Sequence, residues 1–294
     1  MRNAFIEELV QLARVNKNIA LVVGDLGYKV VEPFAEEFPD RFINAGVAEQ
    51  NMTGLAAGMA SEGFHVFTYS IANFPTFRCA EQIRNDIDYH NLPVTIVTVG
   101  GGLSYGNLGY SHHAIQDYGL IRSMPNMLIA APGDPSETRS CLRFLIDNPQ
   151  PSYLRLKKAG EPDFFNLTKP LKTGDWNQLL PSTNNKIFLT TGGGLQIAHK
   201  LIQNSVQYSE FGLYTCPLWG ASFKKSQQEL INKFDEIITI EDHLVDCGFG
   251  SWLRESVLLP ETHLKIKNKS LNLDVIGKVG SEDYLLSQNF QINL

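Results

Sequence analysis

The chain has 294 residues, 43% of them apolar, with a formal net charge of −6 and a pI near 5.7. That length and apolar content support a large core and suggest about two domains. The acidic balance argues against nucleic acid as the main partner. No apolar run approaches the length of a membrane-spanning helix. The four cysteines, Cys79, Cys141, Cys216 and Cys247, form neither a CxxC pair nor a metal-ligand spacing. They read as reduced thiols of a cytoplasmic protein, and Met1-Arg2-Asn3-Ala4-Phe5 begins no signal-peptide-like apolar stretch.

In chain order, Phe5, Ile6, Leu9, Val10, Leu12 and Ala13 recur at helical spacing, and Ile19 to Val23 is a short β-rich run ending in Gly-Asp. A strand is expected to end at Asn44, ahead of a Gly/Ala-rich helix through Thr53 to Ser61. Further buried strands are expected at Val66 to Tyr69, Val94 to Val99, Met127 to Ala131 and Ser152 to Leu156. Continuous apolar runs separated by helices indicate a parallel sheet covered on both faces. Lys157 to Asn185 is polar, carries Pro162, Pro170 and Pro181, and reads as a linker. A second α/β unit starts at Lys186 to Thr191, with a glycine triplet and a helix from about Leu195. The fold class expected is two three-layer α/β domains with mostly parallel sheets, at 1–156 and 186–294, joined by a linker at 157–185. No internal repeat or low-complexity tract is visible.

Gly100-Gly101-Gly102 and Gly192-Gly193-Gly194 each follow a strand, where open α/β sheets place their ligands. Neither forms GxGxxG or carries a Walker lysine, so a tight strand-to-helix turn is the reading favoured for the second triplet. Glu49 is a lone carboxylate in Ala45-Gly46-Val47-Ala48-Glu49-Gln50-Asn51-Met52, at a strand-to-helix junction where burial raises a carboxyl pKa. Taken alone, it is better read as a helix N-terminal glutamate favoured by the macrodipole.

Its surroundings change that reading. Val47 to Met52 with Ala56-Ala57-Gly58-Met59-Ala60 resembles the pyrimidine-binding domain of transketolases. The resemblance continues in family order through Gly24-Asp25-Leu26, Arg84-Asn85-Asp86, Ser111-His112-His113, Met124-Pro125-Asn126 and Pro132-Gly133-Asp134-Pro135. Thr239-Ile240-Glu241-Asp242-His243 and Gly248-Phe249-Gly250-Ser251 resemble the carboxyl-terminal domain of the same family. The whole is most similar to the carboxyl-terminal subunit of a split, two-chain transketolase.

The resemblance implies thiamine diphosphate with magnesium as cofactors, and a role for each matching residue. Glu49 would hydrogen-bond the aminopyrimidine and activate the cofactor. An aromatic from Tyr69, Phe74 and Phe77 would stack on the pyrimidine, where a ring pair contributes roughly 0.5–1.5 kcal/mol beyond area burial. Phe74 is favoured over plain core packing, while Phe77 is a closer case because Pro75 disturbs the alignment. His112 would bond substrate hydroxyls and move protons, as an imidazole near pKa 6.5 can. His113, adjacent to it, points elsewhere but remains a candidate substrate contact; a surface or metal-binding histidine is the bland reading. Asp25 would lie near the thiazolium side, or simply cap the next helix. Arg155 and Arg2 would hold a substrate phosphate through their planar forks, against the alternative of ordinary surface arginines.

Two departures qualify this. Gly106-Asn107-Leu108 stands where conventional transketolases carry an acidic pair, which puts ordinary sugar-phosphate specificity in doubt. The chain also has no Gly-Asp-Gly: Gly24-Asp25 is followed by Leu26 and Gly133-Asp134 by Pro135. The diphosphate and magnesium are therefore expected on a partner, an amino-terminal transketolase subunit, in an α2β2 heterotetramer. The implied reaction is transfer of a two-carbon ketol unit from a ketose phosphate to an aldose acceptor. Competing readings are a specialised carboligase for unusual sugars, polysaccharides or secondary metabolites, the beta subunit of a 2-oxo acid or acetoin dehydrogenase, and a non-catalytic regulatory partner.

Overall fold

The computed structural model describes residues 1–164, 170–257 and 265–291. Parts of the expected linker and second domain (165–169, 258–264 and 292–294) lie outside the described residues. The first sheet contains β1 (Ile19–Val23), β2 (Phe42–Asn44), β3 (His65–Ile71), β4 (Val94–Val99), β5 (Leu128–Ala130) and β6 (Ser152–Leu156). The second contains β7 (Asn177–Leu180), β8 (Lys186–Thr190), β9 (Gly212–Thr215), β11 (Glu236–Leu244) and β12 (Lys265–Leu271); β10 (Leu218–Trp219) returns to the first.

The first sheet runs β10-β5-β6-β4-β3-β1-β2 and the second β12-β11-β8-β9-β7. All pairings are parallel except β10 with β5 and β7 with β9. Every residue of β1, β4 and β6 is buried, as a strand covered by helices on both faces requires. The helix Arg2–Val15 buries Phe5, Ile6, Leu9, Val10 and Ala13, the stripe its periodicity predicts. The helix Pro135–Asp147 starts by a capping device. Asp134 accepts from the Glu137 backbone at 2.7 Å, the Glu137 carboxylate reaches back to the Gly133 backbone at 2.7 Å, and proline occupies the first turn. The Pro132 to Pro135 block thus serves to start a helix.

Strand β7 falls within the stretch expected to be linker. It is an edge strand of three partly covered residues and one exposed one, Gln178, and neither an apolar run nor a clean alternation marked it.

The two sheets share a polar seam centred on Arg155 on β6. Its Nε donates to Asp117 Oδ2 at 2.8 Å, and Nη1 to Asp242 Oδ1 at 2.7 Å and the Tyr118 hydroxyl at 3.2 Å. Its Nη2 donates to the carbonyls of Ala114 at 2.7 Å and Asp242 at 3.3 Å. Tyr118 lies under the guanidinium, 4.5 Å from ring centre, and His243 stacks on Tyr118 at 4.9 Å. The reading of Arg155 as a phosphate ligand is corrected by these surroundings. Its side chain is 1% exposed and its donors are committed to two carboxylates, a hydroxyl and two carbonyls from both halves of the chain.

Breaking such a buried pair from the cation side leaves two carboxylates uncompensated, which costs about 3–5 kcal/mol. Arg155→Met should lower the unfolding free energy by about that much, read as a lower urea midpoint at unchanged m. A wild-type midpoint would show that Asp117 and Asp242 do not depend on the guanidinium.

Candidate functional site

Parallel strands place ligands beyond their carboxyl ends. Here that edge gathers Gly24–Asp25 after β1, Asn44 and Glu49 after β2, Phe74–Arg78 after β3, the loop 100–116 after β4, and Lys157–Lys158 after β6.

Glu49 opens the helix Glu49–Ser61 and is 4% exposed. The Gly/Ala-rich helix buries Met52, Ala56, Ala57 and Ala60, which seats its first turn close against β1 and β3. Arg78 Nη1 donates to both carboxylate oxygens, at 3.0 and 3.1 Å. The same guanidinium lies over the Phe74 ring, 4.4 Å from its centre. Phe74 meets His112 edge to face at 5.3 Å, and His112 meets Tyr105 at 6.3 Å. Lys158 Nζ stands 5.4 Å from the Tyr105 ring centre. One continuous line therefore runs Glu49, Arg78, Phe74, His112, Tyr105, Lys158. It has a buried carboxylate at one end and an ammonium at the other.

Phe77 is 49% exposed and makes none of these ring contacts, so Phe74 is the aromatic that shares the line with Glu49. Ser111 Oγ lies 3.0 Å from His112 Nδ1, so the other ring nitrogen is the one turned from the serine. His113 does not share this position. It is fully buried, its Nε2 lies 3.3 Å from the Gly106 carbonyl, and burial holds its pKa below the ordinary histidine value. The expectation of a substrate contact by His113 is corrected accordingly; the ring packs the inside of its own loop.

Asp25 adopts φ 56°. Its Oδ1 accepts from Asn44 Nδ2 at 2.9 Å and from the Tyr28 hydroxyl at 3.2 Å, tying the ends of β1 and β2 together rather than capping a helix. Arg2 is partly buried, with its Nε unpartnered. Burial raises the pKa of the Tyr69 and Tyr105 hydroxyls, and the Arg2 charge opposes that rise at both. Leu108 is 56% exposed at the tip of the histidine loop.

Sequence reasoning missed Arg78, Tyr105 and Lys158. Each is an ordinary residue type with no motif of its own; Lys158 lies only three residues beyond Arg155, in the segment that did draw notice.

Fold and site together define a two-sheet α/β protein with a carboxylate–aromatic–histidine line at the carboxyl edge of its first sheet. Residues 1–160 match the family described as transketolase, pyrimidine binding domain, and the chain belongs to the transketolase family. It is 34% identical over 262 residues to an apulose-4-phosphate transketolase subunit from Phocaeicola vulgatus, spanning 87% of this chain and 83% of that protein. It is 32% identical over 290 residues to a putative transketolase C-terminal section from Methanocaldococcus jannaschii, spanning 97% and 90%. A solved split gene transketolase, described as an inactive beta4 tetramer, superposes with TM-score 0.80 at 26% identity over 100% of this chain and 98% of that one. Transketolase from Leishmania mexicana shares the fold, with TM-score 0.79 at 16% identity over 99% of this chain and 43% of that chain. The chain is the transketolase-type carboxyl-terminal subunit of a split enzyme.

The Glu49–Arg78 contact predicts a measurable coupling. Arg78 is half exposed, so solvent screens the pair and the coupling should be about 1 kcal/mol rather than the larger value of a fully buried bridge. A double-mutant cycle of Arg78→Leu and Glu49→Gln, read by urea denaturation, checks this. Additive effects would show that the two side chains stabilise the fold independently.

Proposed function

We propose that this chain supplies the pyrimidine side of a thiamine-diphosphate-dependent ketol transferase, active with an amino-terminal partner subunit in a heterotetramer. The observation that carries the reading is the line from Glu49 to Lys158. The place beside Glu49 already accepts a flat cation: the Arg78 guanidinium lies on Phe74 and donates to the carboxylate. An aminopyrimidine offers the same two features, a face for Phe74 and a ring nitrogen for Glu49, so the residues fit that group. The diphosphate and magnesium are assigned to the partner because this sequence holds no Gly-Asp-Gly.

When bound, thiamine diphosphate supplies the nucleophilic carbon and the electron sink. The chain supplies orientation and proton handling. Glu49 would hold the pyrimidine ring nitrogen through its carboxyl group, where it could give or take a proton, and Phe74 would offer that ring a flat face. His112, held by Ser111 through Nδ1, exchanges protons with substrate hydroxyls from Nε2. Asp25, at the end of β1, would face the thiazolium part of the cofactor on this reading. At the far end, Lys158 beside Tyr105 forms the phosphate end of the site, with Arg2 as a further candidate, in place of the buried Arg155. The exposed Leu108 at the loop tip favours a specialised sugar substrate over the ordinary one, since a leucine cannot bond a hydroxyl where conventional members carry acids.

Glu49→Gln keeps size and hydrogen bonding but cannot hold the ring nitrogen's proton as a carboxylic acid does. Positioned acid–base groups contribute about 10²–10⁴-fold in rate. Hydrogen–deuterium exchange at the thiazolium carbon of the assembled enzyme should slow by at least that order, with assembly intact. Exchange at the wild-type rate would reduce Glu49 to a helix-starting residue and end this reading.

Lys158→Ala should raise KM for phosphorylated sugars about tenfold or more, since a hydrogen bond to a charged group is worth about 1.5–3 kcal/mol. Steady-state kinetics with phosphorylated and unphosphorylated acceptors separates the outcomes, and equal losses with both would remove Lys158 from the phosphate end.

A further inference from the structure

The loop after β4 is not held by its own domain alone. Gly102 and Ala114 exchange backbone hydrogen bonds at 2.9 Å each and close the loop at its base. Gly102 has φ +66°, and a Cβ there would lie 2.3 Å from Asp242 Oδ2, so the loop base sits directly against the second domain. Leu103 and Ile115 belong to the apolar cluster of Leu195, Ile240, Leu244 and Leu285. At the tip, the Gly280 backbone donates to the Gly106 carbonyl at 3.3 Å, and a Cβ on Gly106 would lie 2.5 Å from the Gly280 oxygen.

Between base and tip stands Glu282, first residue of the helix Glu282–Phe290. Its Oε1 lies 2.7 Å from Lys157 Nζ and accepts from Ser104 Oγ at 3.4 Å. Those partners are the immediate neighbours of Lys158 and Tyr105, which touch each other across the phosphate end of the site. Burial works against the charge of Lys157, but Glu282 and Asp242 outweigh it and hold the ammonium above its ordinary pKa. One carboxylate from the second domain thus fixes both the loop that carries Tyr105 and His112 and the strand end that carries Lys158.

We propose that Glu282 is a positioning residue for the substrate end of the site, through which the second domain sets the geometry of the Tyr105–His112 loop against Lys158. The inference rests on the functional reading above for what the loop does, but the positioning itself is measurable without turnover.

Amide hydrogen exchange of the full chain is the direct test. Glu282→Ala removes both contacts and should speed exchange at residues 103–112 about tenfold, with β1 and β3 unchanged. Glu282→Gln can still accept from Ser104 and should give an intermediate increase. Gly106→Ala, which wedges the loop away from Gly280 without touching a charge, should repeat the local signature. In the enzyme reconstituted with its partner subunit, Glu282→Ala should raise KM for a phosphorylated acceptor several-fold and leave half-saturation by thiamine diphosphate unchanged, with partial rescue in Glu282→Gln. Wild-type exchange at 103–112, an increase spread evenly over the chain, or an unchanged KM in an active enzyme would each overturn the proposal. Local exchange changes in a complex with no transferase activity in any form would instead count against the functional reading and leave the positioning intact.

Discussion

The structure turns on one guanidinium shut away from water. Burying a charge is costly unless it is paired and hydrogen-bonded, and Arg155 meets that condition only when both sheets are in place. Asp117 comes from the helix Asp117–Ile121 within the first sheet's half of the chain and Asp242 from β11 of the second sheet, so neither half alone offers the full set of acceptors. The arrangement has a geometric consequence for the site. The same Nη2 that bonds the Asp242 carbonyl also bonds Ala114, two residues past His112. Hydrophobic contact could press the domains together in several registers; a planar fork with fixed donors accepts one. Trp219 and Trp252 then pack the seam further along, with Tyr118 and Phe249 against Trp219.

Most of the scaffold was legible because parallel strands announce themselves. Ile19–Val23, Val94–Val99 and Ser152–Leu156 are uniform apolar or β-rich runs, and the structure places strands at those same residues. Glu49 drew notice only through the family resemblance of Val47 to Met52 and Ala56 to Ala60, since a lone glutamate at a helix start is otherwise an ordinary feature. Arg155 was not. An arginine near the end of a strand that points at a ligand edge looks like an anion site. What decides otherwise is the presence of Asp117 and Asp242, 38 and 87 residues away in sequence. Nothing local encodes that meeting. Strand β7 was missed for a milder reason, that an edge strand pairs on one side and needs no apolar face.

Thr239 to His243 shows how a motif can belong to a family without belonging to chemistry. Glu241 is fully buried and accepts from the Phe249 and Gly250 backbones at 2.6 and 2.9 Å, so it starts the helix Phe249–Glu255. Burial pushes its pKa up to about 8, with the two backbone donors pulling the other way. A raised carboxyl pKa in isolation would suggest an acid catalyst. The geometry assigns it to a helix end beneath the seam, and Asp242 beside it to Arg155. Perturbed titration marks burial first and function only when a site is within reach.

The contrast between the two glutamates clarifies the site. Glu241 is satisfied by rigid backbone donors inside the fold, a pairing that no ligand can enter. Glu49 is satisfied by Arg78, a long side chain half in solvent that reaches the carboxylate across the Phe74 ring. A hydrogen bond to a half-exposed side-chain cation is exchangeable: another flat donor can take the same carboxylate and the same ring face at the cost of turning one side chain outward. The sequence provides a glutamate in both places, but only at the carboxyl edge of the first sheet does the fold leave its partner free to be replaced. On the proposed reading, that difference in the partner, more than any difference in burial, is what suits Glu49 rather than Glu241 to meet a ligand.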